Sequence, residues 1–192
     1  MNNFVAIDFE TGMQRPHSSI SIGLVKYCNY EKIDTYYSLI CPPQLYIRPD
    51  FTEIHGLVIE DVIDAPKFSE IRNDIFNFIE DMPLVAHNAP FDMGVLKASL
   101  KWYNLDVPRL SYFCSRSLAR GTWPGLKSYA LTSLAKEFGI VYNANNALDD
   151  AETCGKLVQM SAEKFGKEKN IEQLLKAAKI NMSVLIDDDE NL

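Results

Sequence analysis

The order of the apolar patterns predicts an α/β fold with a mixed five-stranded sheet flanked by helices, the first three strands antiparallel. Three observations carry this expectation. Alternating runs rich in β-branched and aromatic residues come first, runs with helical spacing then alternate with short apolar stretches, and Gly, Pro or Asn stands at the joints. A chain of 192 residues with 47% hydrophobic content can bury one substantial core, so a single domain is expected over residues 1–180, with residues 181–192 as an acidic, disordered tail.

The elements follow in chain order. Residues 3–9 (NFVAIDF) form an apolar run of β-formers, and residues 18–28 and 32–41 alternate across a polar Asn-Tyr-Glu turn, giving three antiparallel strands. Phe68, Ile71, Ile75, Phe76, Phe78 and Ile79 recur near helical spacing, which predicts an amphipathic helix over residues 68–79. Residues 84–86 read as a short buried strand. Pro90 suits a first helical position, where its missing N–H costs nothing, and Val95, Leu96, Leu100 and Tyr103 continue that helix. A strand over 110–114, a helix around 129–138 closed by Gly139, and a longer helix over 148–165 come next. Residues 171–178 suggest a last short helix, and residues 187–190 read as a disordered acidic end.

Composition narrows the function classes. No stretch approaches the roughly 18 consecutive apolar residues of a membrane helix, so no membrane partner and a cytoplasmic location are expected. Cys28, Cys41, Cys114 and Cys154 lack zinc-like spacing and read as reduced packing residues. The net charge of −7 argues against binding nucleic acid through the overall field. Lys97, Lys101, Arg109, Arg116, Arg120, Lys127 and Lys136 nevertheless cluster in one segment opposed only by Asp106. That segment is either a surface for a phosphate backbone or the ordinary solvated face of its helices.

Asp8 stands inside an apolar strand, where aspartate is depleted and costly to bury unpaired. Glu10 is two residues on, so the strand period of two puts both carboxylates on one face, either held together by a divalent cation or marking a strand end in water. Asp92 falls in the first turn of its helix in line with Val95 and Leu96, which starts it on the buried face. Asp150 aligns with Cys154 and Leu157 and points inward, whereas Asp149 aligns with Thr153 and Lys156 and points outward. A helix dipole alone favours either aspartate, but several inward carboxylates in one domain favour a shared metal site.

The same residues carry a family resemblance. Asp8-Phe9-Glu10-Thr11, His87-Asn88-Ala89-Pro90-Phe91-Asp92 and Asn145-Asn146-Ala147-Leu148-Asp149-Asp150-Ala151 resemble, in order and spacing, the three motifs of the DEDD exonuclease superfamily. Ile54-His55-Gly56-Leu57, Asp64-Ala65-Pro66 and Trp123-Pro124-Gly125-Leu126 look like connecting segments of bacterial homologues of the DNA polymerase III epsilon proofreading subunit. The resemblance covers residues 2–165. It implies a ribonuclease H-like fold and 3′→5′ release of nucleoside monophosphates from single-stranded DNA or RNA 3′ ends. Two Mg²⁺ or Mn²⁺ ions would be held by Asp8, Glu10, Asp92 and Asp150, with Asp8 bridging. A polymerase or another replication or repair protein is the partner it suggests.

By the same resemblance, Phe9, Thr11, Met13 and Phe91 are candidates to contact the terminal sugar and base, with core packing the competing reading for the two phenylalanines. His87 and His55 resemble positions near the cleft or else are structural histidines. The sequence departs from the family in one place. The DEDDh branch has a histidine five residues before the last aspartate, where this chain has Asn145; the alternative branch has a tyrosine four residues before it, where this chain has Asn146. Asparagine can hydrogen-bond a water but cannot take its proton near neutral pH, so an exonuclease impaired at Asn145 is expected, a substitute base from His17 or His55 being the disfavoured alternative. A catalytically silent module that binds a 3′ end is the second reading, and a purely structural interaction domain the third.

Overall fold

The computed structural model describes residues 2–187, and residues 188–190 of the expected acidic end lie outside the described residues. Strand β1 (Phe4–Thr11) pairs antiparallel with β2 (Ser19–Cys28), which pairs antiparallel with β3 (Glu31–Leu39). The β2–β3 turn places Asn29 and Tyr30 at φ 51° and 65°, the two positive values a two-residue hairpin needs to match strand twist. Contrary to the polar turn expected, Tyr30 is fully buried, and its hydroxyl donates to the Lys169 carbonyl at 2.7 Å.

After β3 come α1 (Pro49–His55), α2 (Ile59–Val62) and α3 (Phe68–Ile79). Strand β4 (Leu84–Ala86) then joins β1 in parallel, followed by α4 (Pro90–Trp102). Strand β5 (Leu110–Cys114) lies parallel to β4 and leads into α5 (Ser115–Thr122), α6 (Leu131–Glu137), α7 (Ala147–Phe165) and α8 (Ile171–Ala177). A sixth strand, β6 (Ser183–Leu185), pairs antiparallel with β5. The sheet order is therefore β3-β2-β1-β4-β5-β6, six strands rather than the five expected. Because Leu185 is buried on the β5 edge, the folded chain continues past the boundary expected at residue 180.

The strand period divides β1 between two cores. Val5, Ile7 and Phe9 pack with Phe68, Ile71, Ile75 and Ile79 of α3 and Val95, Leu96 and Leu100 of α4. Phe4 and Ala6 face the other way, onto Ala151, Cys154, Val158 and Ala162 of α7, with Phe113 of β5 and Leu174 of α8. Asp8 and Glu10 continue that second face, toward the start of α7. Among the described residues no helix is long and apolar enough to cross a membrane.

Two glycines let α7 come close to the sheet. Gly23, paired with Asp8 in β2, lies so near α7 that a Cβ there would overlap the backbone of Ala147 and Leu148; a Cβ on Gly155 of α7 would overlap the Tyr27 ring of β2. The expected outcome of Gly23→Ala is a loss of about 1–3 kcal/mol in denaturant unfolding, because helix backbone must move. Gly94→Ala, where a Cβ meets nothing within 4 Å, is expected to be neutral or stabilising by about 0.5–1 kcal/mol. Equal effects at the two positions would show that the close approach is not a constraint.

Candidate active site

Asp8 and Glu10 reach the site from the C-terminal half of β1, two residues apart on the face that α7 covers. Asp150 comes from the first turn of α7, a helix started by Asn146, whose Oδ1 accepts from the amides of Leu148 (3.1 Å) and Asp149 (3.2 Å). Carboxylate oxygens of Asp8, Glu10 and Asp150 lie within 4.8 Å of one another. Asp92 approaches from the start of α4, at the end of the strand beside β1. It is 1% exposed, and its Oδ1 accepts from the Phe9 amide at 3.2 Å. Asp149 is more accessible than Asp150, which is 9% exposed.

The electrostatics describe a site short of positive charge. Burial, then Asp92, Asp150 and Glu10, push the Asp8 carboxyl well above the usual carboxylate range. Burial and the Asp150 charge raise Glu10 to about 7. Burial raises Asp150 to about 6, against backbone amides of Asn145 and Asn146 and the Tyr142 hydroxyl. Burial also raises Asp92, against the Phe9 amide. No lysine or arginine pairs with any of the four among the described residues, and Asp92 Oδ2 is buried without a hydrogen bond. Hard oxygen donors in this number and this close fit divalent cations, which would keep the carboxylates ionised.

The other expected residues separate into three groups. Phe91 is 48% exposed beside Asp92, Met13 is half-buried in the loop after β1, and Thr11 is buried at a register shift that ends β1. Phe9, by contrast, is 2% exposed and packs against Phe68, with ring centroids 6.5 Å apart. The alternation that brings Asp8 and Glu10 together turns the ring between them to the opposite face, so Phe9 serves the site through its amide and not by stacking. His87 is likewise withdrawn from ligand contact by its own hydrogen bonds. Its Nε2 donates to the Tyr129 carbonyl at 2.9 Å, which leaves Nδ1 to accept from the Ser115 hydroxyl at 2.8 Å. Burial lowers His87 to about 4, and the neutral ring ties the end of β4 to α5 and to the loop before α6.

Asn145 is exposed at φ 61°, in the turn before α7, while Asn146 has a structural task as helix cap. His17 is stacked on Trp102 with centroids 4.3 Å apart, and His55 Nδ1 accepts from the Leu57 amide at 3.1 Å. Burial lowers the His55 pKa, against the Thr11 backbone beside Glu10. The sequence pattern does not point to Tyr142. Burial first, and then the nearby Asp150 and Asp8 charges, raise the pKa of its hydroxyl, which faces Asp150. Its ring packs with Leu131, Leu134 and Leu157, and no spacing rule connects it to Asp150.

Comparison with known proteins agrees with this geometry. Residues 5–158 match the family model RNase_T, described as Exonuclease. The chain is 33% identical over 165 residues to a 3′-5′ exonuclease DinG of Staphylococcus epidermidis, covering 84% of this chain and 18% of that protein. It is 32% identical over 170 residues to the DinG of Staphylococcus aureus USA300, covering 87% of this chain and 19% of that one. The chain thus spans less than a fifth of the length of these relatives. Among solved structures, Exonuclease X in complex with 5′ overhanging duplex DNA superposes with a TM-score of 0.72 at 23% identity, covering 91% of this chain and 99% of that one. The nuclease domain of 3′hExo, a DEDDh family member bound to rAMP, gives 0.75 at 16% identity, covering 87% and 94%. The sheet order, the flanking helices and these superpositions establish the ribonuclease H-like fold, and the chain belongs to the exonuclease family.

Proposed function

We propose that this chain is a metal-dependent 3′→5′ exonuclease that releases nucleoside monophosphates from DNA or RNA 3′ ends, slowed by Asn145. The observation that carries the reading is the convergence of Asp8, Glu10 and Asp150 within 4.8 Å, with Asp92 beside them and no protein cation among the described residues to balance the four. Two Mg²⁺ or Mn²⁺ ions held by these carboxylates would activate a water and stabilise the leaving 3′ oxygen of an in-line displacement. Phe91 and Met13 offer an exposed ring and a flexible thioether to the terminal nucleotide. Binding to single-stranded ends is supported by a structural neighbour, an E. coli ExoI–ssDNA complex. A polymerase or other replication or repair partner, and a cytoplasmic setting, belong to the same proposal.

Asn145 and Tyr142 define the proton-transfer side of the site. The Asn145 amide can orient the attacking water but has no lone pair basic enough to take its proton. The Tyr142 hydroxyl supplies a second neutral hydrogen-bonding group beside Asp150. A second reading, in which the domain holds a 3′ end without cutting it, is favoured by Asn145 alone.

Asn145→His is expected to raise kcat for mononucleotide release roughly 100-fold, within the range general bases supply, with KM little changed. If neither form cuts single-stranded DNA or RNA while both bind Mn²⁺ calorimetrically, the exonuclease reading fails and the binding reading stands; if the natural chain already matches the variant, the argument about the base is wrong. Tyr142→Phe removes one hydrogen-bonding group, so its expected cost in kcat is about two- to tenfold, with the Mn²⁺ isotherm retained.

The carboxylates also predict a pH dependence. Folded pKa values raised to about 7 for Glu10 and about 6 for Asp150 mean that the metal-free folded chain binds more protons than the unfolded one. Their contribution is therefore greatest at low pH and is lost as pH rises through these folded values. The Tm in chelator should fall between pH 5 and pH 8, and excess Mg²⁺ should restore more at pH 8 than at pH 5. A Tm in chelator that climbs across that window would contradict the clustering of the four groups.

A further inference from the structure

A cavity of about 350 Å³ is lined by Asn88, Cys114, Arg116, Ser117, Arg120 and Ser183, among others. No carboxylate lines it, although the chain carries 26 acidic residues and a net charge of −7. Arg116 and Arg120 are one turn apart on α5 and present one charged face. Neither pairs with a carboxylate among the described residues; Arg120 lies over the Tyr129 ring at 5.6 Å, and Arg116 Nε is buried without a hydrogen-bond partner.

The rest of the wall is also made of donors. The first turn of α5 contains no acidic residue and no side-chain cap. Backbone amides of Asn88, Ala89 and Ser117 and the Ser117 hydroxyl are directed at the Cys114 sulfur, and together they pull its thiol pKa down against burial. The Cys114 sulfur thus receives several N–H and O–H groups in a pocket that also carries two guanidinium forks, donors suited to a phosphate group.

Pocket and carboxylate site share one segment of chain. Asn88 and Pro90 line the pocket at the start of α4, and Asp92, in the first turn of that helix, accepts from the Phe9 amide of β1.

We propose that this pocket binds a backbone phosphate of the same nucleic-acid strand whose 3′ end lies on the carboxylates, a few nucleotides upstream. The proposal rests on the exonuclease reading, and its test keeps the two apart. Thymidine 5′-monophosphate p-nitrophenyl ester can occupy the carboxylate site but is too short to reach the pocket. Hydrolysis of this ester and of a single-stranded 10-mer is measured for the natural chain, Arg116→Gln and the Arg116→Gln/Arg120→Gln pair, after thermal melts confirm folding. Anisotropy of the labelled 10-mer, in Ca²⁺ at several salt concentrations, gives binding without turnover.

The expected result for the double variant is about a tenfold lower ratio of 10-mer to ester kcat/KM, carried by KM. Its salt dependence of 10-mer binding should be shallower by about 0.7 for each phosphate that the arginines no longer neutralise. An unchanged Kd and salt slope in a folded double variant overturns the proposal. So does a variant that loses only inhibition by inorganic phosphate or by thymidine monophosphate, since the pocket would then take free phosphates. If the natural chain hydrolyses neither substrate, the exonuclease reading fails, and the anisotropy series alone decides the pocket.

Discussion

The approach of the long helix α7 to the sheet is the constraint on which the active site depends. Asp150 sits one turn into that helix, so its carboxylate can meet Asp8 and Glu10 only if the helix start lies almost on the strand beside them. Gly23 makes this approach possible by having no side chain, directly across from Asp8, and Gly155 repeats the device further along the helix against Tyr27. Asn146 then fixes the helix start, and the direction of Asp150, by holding the amides of Leu148 and Asp149. A close backbone approach, a helix cap and a carboxylate are thus parts of one arrangement.

Bringing four carboxylates together works against folding unless positive charge is supplied. Burial is the largest cause of the raised pKa at each of Asp8, Glu10, Asp92 and Asp150, with mutual repulsion added. Without a cation the cluster relaxes by keeping protons; divalent ions held there would favour the ionised form. The same groups therefore couple stability, pH and metal. Arg116 and Arg120 of α5 line a pocket without a carboxylate in an otherwise acidic protein, and the chain from Asn88 to Asp92 joins that pocket to the acidic cluster.

Much of the fold is legible from local pattern. The helical spacing over Phe68–Ile79, the Pro90 helix start and the Leu84–Ala86 and Leu110–Cys114 strands stand where periodicity puts them, because each buries a regular apolar stripe. The elements not foreseen lack such a stripe. Helix α5 reads Ser-Arg-Ser-Leu-Ala-Arg-Gly-Thr, too polar to show a period, and β6 is three residues that become a strand only because β5 offers an unpaired edge. Within the site, the strand period implies the Asp8–Glu10 pairing, and that period equally removes Phe9 from the ligand face. Helical alignment likewise separates Asp150 from Asp149.

The four carboxylates, their order and the faces they occupy are all written in the amino-acid sequence, since each follows from spacing along one strand or one helix. What surrounds them was set by tertiary packing. Tyr142 reaches Asp150 from a loop eight residues upstream, His87 is held by Ser115 and Tyr129, and Arg116 and Arg120 line one cavity with Asn88, which follows the neighbouring strand β4. These pairings join segments distant in sequence or linked by irregular backbone, and no periodicity encodes them. They exist because the sheet closes in one strand order and α7 lies close enough to bring its ends together.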